Sequence, residues 1–333
     1  MPPPGRVRSE HNCAPRTGAP VGTKALLEWD LGHSLHRHWH ALARDWRRSL
    51  RADGKSDATI RIYLTAVRHL VAWLIAEDDL CTADEVTRSR IRGWVAHMIE
   101  TRSAATANTN YRAIRPFFAW LIGEGVIPRS PMEGTRQPKT PDKPIPVIRD
   151  REMTKLLNAC AGRGFLALRD RAIIRLLADT GVRRGEIAGL DVVDVDLDYD
   201  FIRVTGKGGH VRTVPFGAKT GRALTQYLRT RETHKLATLP ALWLGASSRG
   251  RLSPVALGHM LTRRGTAAGV EGLHTHQFRH TFAHTFRKLG GNDSDLKRLG
   301  GWKSDAMLER YGRSAADERA HEAHRRLAIG DRY

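Results

Sequence analysis

Cysteine is scarce in this chain: three among 333 residues, at positions 13, 81 and 160, with no C-x-x-C pair. An odd, scattered set argues against a disulfide framework and fits a reducing cytoplasm. Without paired spacing it also argues against a structural zinc site. Long apolar runs are missing too. No stretch of about 18 apolar residues occurs, so no membrane span is expected. The opening Met-Pro-Pro-Pro-Gly-Arg lacks the apolar core of a secretory signal. Acidic residues are the third shortage. Asp and Glu number 35 against 55 Lys and Arg, a formal net charge of +20 with a pI near 10.7. That imbalance calls for a polyanionic partner, of which nucleic acid is the commonest. The plainer alternative is an Arg-rich surface with no particular partner. The 41% apolar content is ordinary for a globular protein, and the length suffices for two compact domains.

Residues 1–32 are rich in Pro, Gly and Arg without apolar periodicity and read as a flexible basic arm. Four helical patterns fill 33–126. Ser34 to Leu50 places Leu35, Trp39, Leu42 and Trp46 on one stripe. Ser56 or Asp57 caps a helix whose face runs Ile60, Tyr63, Leu64, Val67, Leu70, Val71, Leu74. Thr87 to Glu100 and Thr106 to Ile122 complete the set. The second and fourth helices end alike, in Trp73-Leu-Ile-Ala-Glu77 and Trp120-Leu-Ile-Gly-Glu124, which marks them as core-packing elements. Six prolines between 128 and 146 then forbid a helix, so 127–147 reads as an extended linker. Beyond it, 148–320 opens with helices at 150–160 and 165–180. Strands follow at 192–197, 201–205 and 210–215, the last two joined by Gly206-Lys207-Gly208-Gly209, a strong hairpin signal. Everything past Gly217 is helical in pattern, and 321–333 forms a tail. The expected fold class is therefore mainly α with a small antiparallel β-sheet: a helical bundle followed by a larger α+β domain.

A polyanion partner raises the question of phosphate chemistry. Cutting a phosphodiester without a metal needs fixed cations against the equatorial oxygens, and guanidinium serves best because its planar fork pairs two oxygens. A nucleophile and a proton donor for the leaving oxygen complete the set. Four segments supply such groups. Thr180-Gly-Val-Arg183-Arg-Gly-Glu186 ends one helix and starts another, leaving Arg183 near an N-terminus with Glu186 placed to hold it. Lys207 sits in the glycine-flanked turn. In His274-Thr-His276-Gln-Phe-Arg279-His280, a ring nitrogen at 276 and a guanidinium at 279 share one helix face. Leu299-Gly-Gly-Trp302 precedes Tyr311 by nine residues. Each segment has a bland reading of its own: a surface ion pair, a solvated lysine, core histidines, one tyrosine among six.

Taken in order, the four segments resemble the tyrosine recombinase (phage integrase) family. Its pattern is Arg in a T-G-x-R-x-x-E turn, Lys in a G-K-G hairpin, H-x-x-R, then His or Trp, then Tyr nine residues on. Here that pattern falls on Arg183, Lys207, His276, Arg279, Trp302 and Tyr311, with Glu186 and His280 in support, and Trp302 stands where most members have His. The resemblance spans roughly 35–320, the N-terminal bundle being similar to the family's core-binding domain. It implies site-specific cleavage and rejoining of double-stranded DNA through a 3′-phosphotyrosyl intermediate at Tyr311, without metal, ATP or other cofactor. It also implies a homo-tetramer on two duplexes, an excisionase or second recombinase as possible partner, and a cytoplasmic location. Type IB topoisomerase-like relaxation and non-catalytic DNA binding are the alternatives. The bundle and the H-x-x-R context argue against the first, the complete residue set against the second. Part of the basic charge, drawn from Arg61, Arg68, Arg112 and Arg115 in the bundle and Arg203, Arg212, Arg263 and Arg264 beyond it, is expected on phosphates.

Overall fold

A row of side chains at helical spacing folds only when its apolar face meets another, and the first four helices do this for one another. The computed structural model describes residues 34–140, 146–206, 209–246, 250–302, 304, 320, 321 and 323–333. The chain divides into two units, Met1–Asp142 and Lys143–Tyr333.

In the first unit, α1 (Ser34–Ala52), α2 (Asp57–Ala76), α3 (Arg88–Thr101) and α4 (Ala104–Gly123) pack around one core. Ser56, Thr87 and Ser103 cap the last three, each side chain accepting a backbone N–H of the first turn. Trp39, Trp46 and Phe117 are all but fully buried. The Trp46 ring stacks on Tyr63 at 5.6 Å and meets Phe117 at 5.0 Å. The repeated Trp-Leu-Ile ending does the same work twice. Leu74 and Leu121 are both buried, and their carbonyls accept the N–H of Asp79 and Val126, each at 2.9 Å, closing both helices with one kind of turn. By length and hydropathy alone α2 could cross a membrane. It instead buries Ile60, Val67, Leu70 and Leu74 in the bundle and leaves Arg61 exposed.

The proline-rich segment is less of a free linker than its composition suggests. As far as residue 140 it packs on the first unit. Ile127 and Met132 are buried, Tyr111 Oη lies 2.7 Å from Thr135 Oγ1, and Asn108 Nδ2 donates to the Pro138 carbonyl at 2.6 Å. Proline forbids helix here, not packing.

The second unit is built on α6 (Phe165–Thr180), which packs against α8 (Ala218–Glu232) and α10 (Thr275–Lys288). Around them lie α5 (Asp150–Asn158), α7 (Arg184–Gly189), α9 (Pro254–Ala268) and α11 (Asp293–Gly300). One antiparallel sheet, ordered β1 (Val195–Asp196), β2 (Phe201–Thr205), β3 (Val211–Pro215), pairs Ile202 with Val214 and Val204 with Arg212. The class is thus mainly helical with a small antiparallel sheet, as the sequence predicts. The first strand is shorter than expected, because 192–194 coil into a 3-10 turn.

The stretch from 233 to 253 departs from the helical expectation. Two isolated bridges, Asp191 to Ala241 and Leu244 to Arg251, replace a helix. The buried Arg231 organises this stretch by donating to the carbonyls of Ala237, Leu239, Ala241 and Leu242. Trp243 is fully buried and donates from Nε1 to the Ile187 carbonyl at 2.9 Å. Of the expected amphipathic tail, 320, 321 and 323–327 are described, and they are helical.

Trp46→Ala empties the junction of three helices and is expected to cost the first unit about 3–5 kcal/mol. Hydrogen exchange reads this as lost protection over residues 34–140, with 146–302 unchanged. Unaltered protection in α1 and α4 would contradict the packing described.

Candidate active site

The site is assembled from backbone carbonyls as much as from side chains. Helix α11 ends at Gly300, and Gly301 closes it in the left-handed region at φ +63°. The last carbonyls of a helix have no partner within it and carry its negative dipole end. Three successive ones here each accept a guanidinium. Leu299 O accepts from Arg212 Nε at 2.8 Å, Gly300 O from Arg279 Nη2 at 2.6 Å, and Gly301 O from Arg183 Nη2 at 2.8 Å. The two glycines are required. A Cβ on Gly300 would lie 1.8 Å from Trp302 Cζ3, and one on Gly301 would meet the Arg212 guanidinium at 3.2 Å besides straining its φ.

Glu186 binds the same set from the other side. Its backbone lies in the first turn of α7, so Oε2 accepts the Arg183 backbone N–H at 2.8 Å, as a capping carboxylate does. Oε1 accepts from Arg183 Nη1 at 2.9 Å, and Arg212 forks across both oxygens at 3.0 and 2.9 Å. Burial by itself would raise the Glu186 pKa. The Arg212 hydrogen bonds, the Arg183 N–H and the charges of both arginines outweigh it and bring the carboxyl down to about 2.

Helix α10 supplies the remaining groups. Arg279 is 2% exposed; its Nη1 donates to the Gly181 carbonyl at 2.8 Å, at the left-handed C-cap of α6. Its guanidinium carbon sits 3.8 Å from the centroid of the Trp302 ring, a cation–π contact worth about 2 kcal/mol when desolvated. Trp302 is itself buried, in a small cluster with Phe282, Ala283 and Leu296 that seats α11 on α10. His276, one turn before Arg279, is exposed, its ring edge-on to His280 at 5.0 Å between centroids. Partial burial, then the charges of Arg279, His274 and Arg183, lower its pKa below the usual histidine value. His280 is buried, and burial first, then the charges of His276, Arg279 and His274, take it down to about 4. Both rings are therefore neutral at pH 7.

The structure thus brings Arg183, Glu186, His276, Arg279, His280 and Trp302 together. Lys207 and Tyr311 lie outside the described residues. Beside Lys207, Gly206 N–H donates to the His210 carbonyl at 2.8 Å, closing the hairpin stem. Arg212 is the functional position that the motifs miss. The sequence offers it as a phosphate contact, whereas its guanidinium is turned inward to Glu186 and Leu299. Arg264 is likewise engaged inside, with the buried Asp170 at 2.8 Å, which also pairs with Arg169. Arg203 and Arg263 are exposed, as are Arg61, Arg112 and Arg115. Arg212 carries one sequence signal, its place five residues after Lys207 on the inward face of the hairpin.

Two family models match the chain: the phage integrase family over residues 146–318, and the phage integrase N-terminal SAM-like domain over 42–127. The chain belongs to the phage integrase family, the tyrosine recombinases, and is a site-specific DNA recombinase. Its relatives include the tyrosine recombinase XerC of Mycobacterium sp. (strain JLS), 33% identical over 267 residues, which cover 78% of this chain and 88% of the relative. Among solved structures, XerH site-specific recombinase bound to palindromic difH substrate shares the fold with a TM-score of 0.67 at 18% identity, over 80% of this chain and 79% of that one. A lambda integrase tetramer bound to a Holliday junction does so with a TM-score of 0.61 at 19% identity, over 80% and 77%.

A carboxyl whose pKa falls from 4.5 to about 2 on folding stabilises the fold above pH 4.5 and loses that contribution as the pH drops towards 2. Glu186→Gln is expected to cost up to about 3 kcal/mol at pH 7. In denaturant unfolding the gap to the parent should shrink between pH 5 and pH 2.5. A gap independent of pH would contradict the charged network.

Proposed function

We propose that Arg183 and Arg279 form a phosphate clamp at which Tyr311 cuts one DNA strand. The observation that carries this reading is the pair of consecutive carbonyls, Gly300 and Gly301, from which the two guanidiniums are hung. Among the described residues Arg183 uses two of its five side-chain N–H groups on Glu186 and Gly301, and its side chain is 41% exposed, leaving an open edge for non-bridging oxygens. Trp302 acts through Arg279, whose position its ring fixes.

The reaction is the one that the resemblance implies for these residues. The Tyr311 oxygen attacks phosphorus while its proton passes to neutral His276. The P–O5′ bond breaks, and the 5′-oxygen takes a proton from Lys207. The 3′-phosphate stays on Tyr311 as an ester, so the bond energy is kept and a second 5′-hydroxyl can reverse the step without ATP. Recombination then joins two duplexes within a homo-tetramer, an arrangement of the kind the lambda integrase tetramer adopts on a Holliday junction. The tail from 315 to 327 docks on a neighbouring protomer, and exposed arginines of both units contact backbone phosphates. An excisionase or second recombinase is a compatible partner, and the setting is the cytoplasm.

The test is a suicide substrate that traps the covalent complex. Tyr311→Phe should bind DNA as the parent does and give no adduct; an adduct that persists and maps to another tyrosine would overturn the assignment. Arg183→Lys and Arg279→Lys should each lose about 10²-fold or more in cleavage, since an ammonium cannot make the paired contact. Near-parental rates would show that charge alone suffices.

The lowered pKa of His276 also sets a pH limit. A base with a depressed pKa stays unprotonated to lower pH, so the acid limb of kcat/KM should fall below pH 6.5. A limb at or above 6.5 would exclude His276 as the proton acceptor.

A further inference from the structure

Arg212 belongs to none of the family motifs, yet its three contacts converge on the site. Its side chain is 16% exposed, and the guanidinium forks across both oxygens of Glu186 while Nε reaches the Leu299 carbonyl, 87 residues away. In register it opposes Val204, so on β3 it is the last inward-facing position before the turn that carries Lys207. Nearer the turn, Thr205, Val211 and His210 are all exposed. Among the described residues, the outer end of the hairpin is held to the unit at this level by two side chains: Val204 enters the core, and Arg212 ties the strand to Glu186 and Leu299. Gly206, adjacent to Lys207, lies directly on the junction: a Cβ there would stand 3.7 Å from both Arg212 Nη1 and Glu186 Oε1.

We infer that Arg212 is a positioning residue that fixes the Lys207 hairpin against the arginine clamp. The inference rests on the reading of Lys207 as the acid for the leaving 5′-oxygen. A general acid works only within hydrogen-bond reach of that oxygen. A two-stranded tip without an anchor samples many positions, and a displacement of about 1 Å can cost about 10²-fold. The rigid fork of Arg212 binds three acceptors on two other elements, α7 and the end of α11, so the stem that leads into the Lys207 turn shares one frame with both clamping guanidiniums. A lysine at 212 would keep the charge beside Glu186 and lose the fork.

The experiment compares the full-length parent, Arg212→Lys, Arg212→Ala and Lys207→Ala on two suicide substrates. One carries the natural 5′-oxygen and the other a 5′-bridging sulfur. On the sulfur substrate Tyr311 forms the same P–O bond, the P–S bond breaks, and the thiolate leaves without needing a proton. Both Arg212 variants should bind DNA like the parent and cleave the oxygen substrate about 10–10²-fold more slowly. On the sulfur substrate they should come within a few-fold of the parent, as should Lys207→Ala. If Arg212→Ala does not fold, Arg212→Lys decides. Parental cleavage of the oxygen substrate by Arg212→Lys would overturn the inference, since charge alone would suffice. So would variants that bind normally yet stay equally slow on sulfur, which would place the effect on the arginine clamp. If Lys207→Ala itself is not rescued while the parent cleaves, the reading of Lys207 falls. Rescue of Lys207→Ala without rescue of the Arg212 variants sinks the Arg212 inference alone.

Discussion

Three guanidiniums cannot sit side by side unless something holds each one, and in this chain the end of α11 does so. Arg212, Arg279 and Arg183 take the carbonyls of Leu299, Gly300 and Gly301 in turn. Glu186 pairs with two of the three. Among the described groups, these three cations against that one anion leave a charge of +2, which carbonyl dipoles soften without cancelling. A site so arranged is stable enough to fold and still short of negative charge, which is what the proposed phosphate clamp requires. On that proposal the donors are fixed in advance, so little reorganisation remains for the moment of reaction.

Stability and chemistry draw on the same residues of α10. Its inner face, from Phe278 to Ala283, is core, and Arg279 is buried among it with Trp302 against its guanidinium. Its first turn carries His276 to the surface. Thr281 on the same helix accepts the Ile148 backbone N–H at 2.8 Å, fixing the start of the unit to the helix that bears Arg279. Two neutral histidines beside two permanent cations follow from one cause. The guanidiniums and partial burial both disfavour a further positive charge.

Much of this was legible in the sequence. Helical spacing marked all four bundle helices, and the Gly-rich turn marked the β2–β3 hairpin. The order of Arg183, His276, Arg279 and Trp302 marked residues that the structure brings together, because each lies in a short local pattern. The carbonyl contacts were not legible. They join residues 21, 87 and 118 positions apart, and a carbonyl belongs to every residue alike. Nor does charge announce its partner. Arg212 and Arg264 look like Arg203 and Arg263 in sequence, yet the first two close ion pairs within the unit and the other two face outward. The irregular course of 233–253 was hidden for the same reason, since Arg231 holds it through backbone oxygens.

The central claim is that the guanidiniums are fixed before DNA binds, and nuclear magnetic resonance of the arginine side chains in the DNA-free protein tests it most directly. Resonances of Arg183, Arg212 and Arg279, assigned by substitution, should show slow rotation about the Nε–Cζ bond and slow exchange of the guanidinium protons with water. Exposed arginines such as Arg61 and Arg112 should average freely. If the three rotate and exchange as fast as Arg61, the carbonyl frame does not hold them, and the clamp is made only when the phosphate binds.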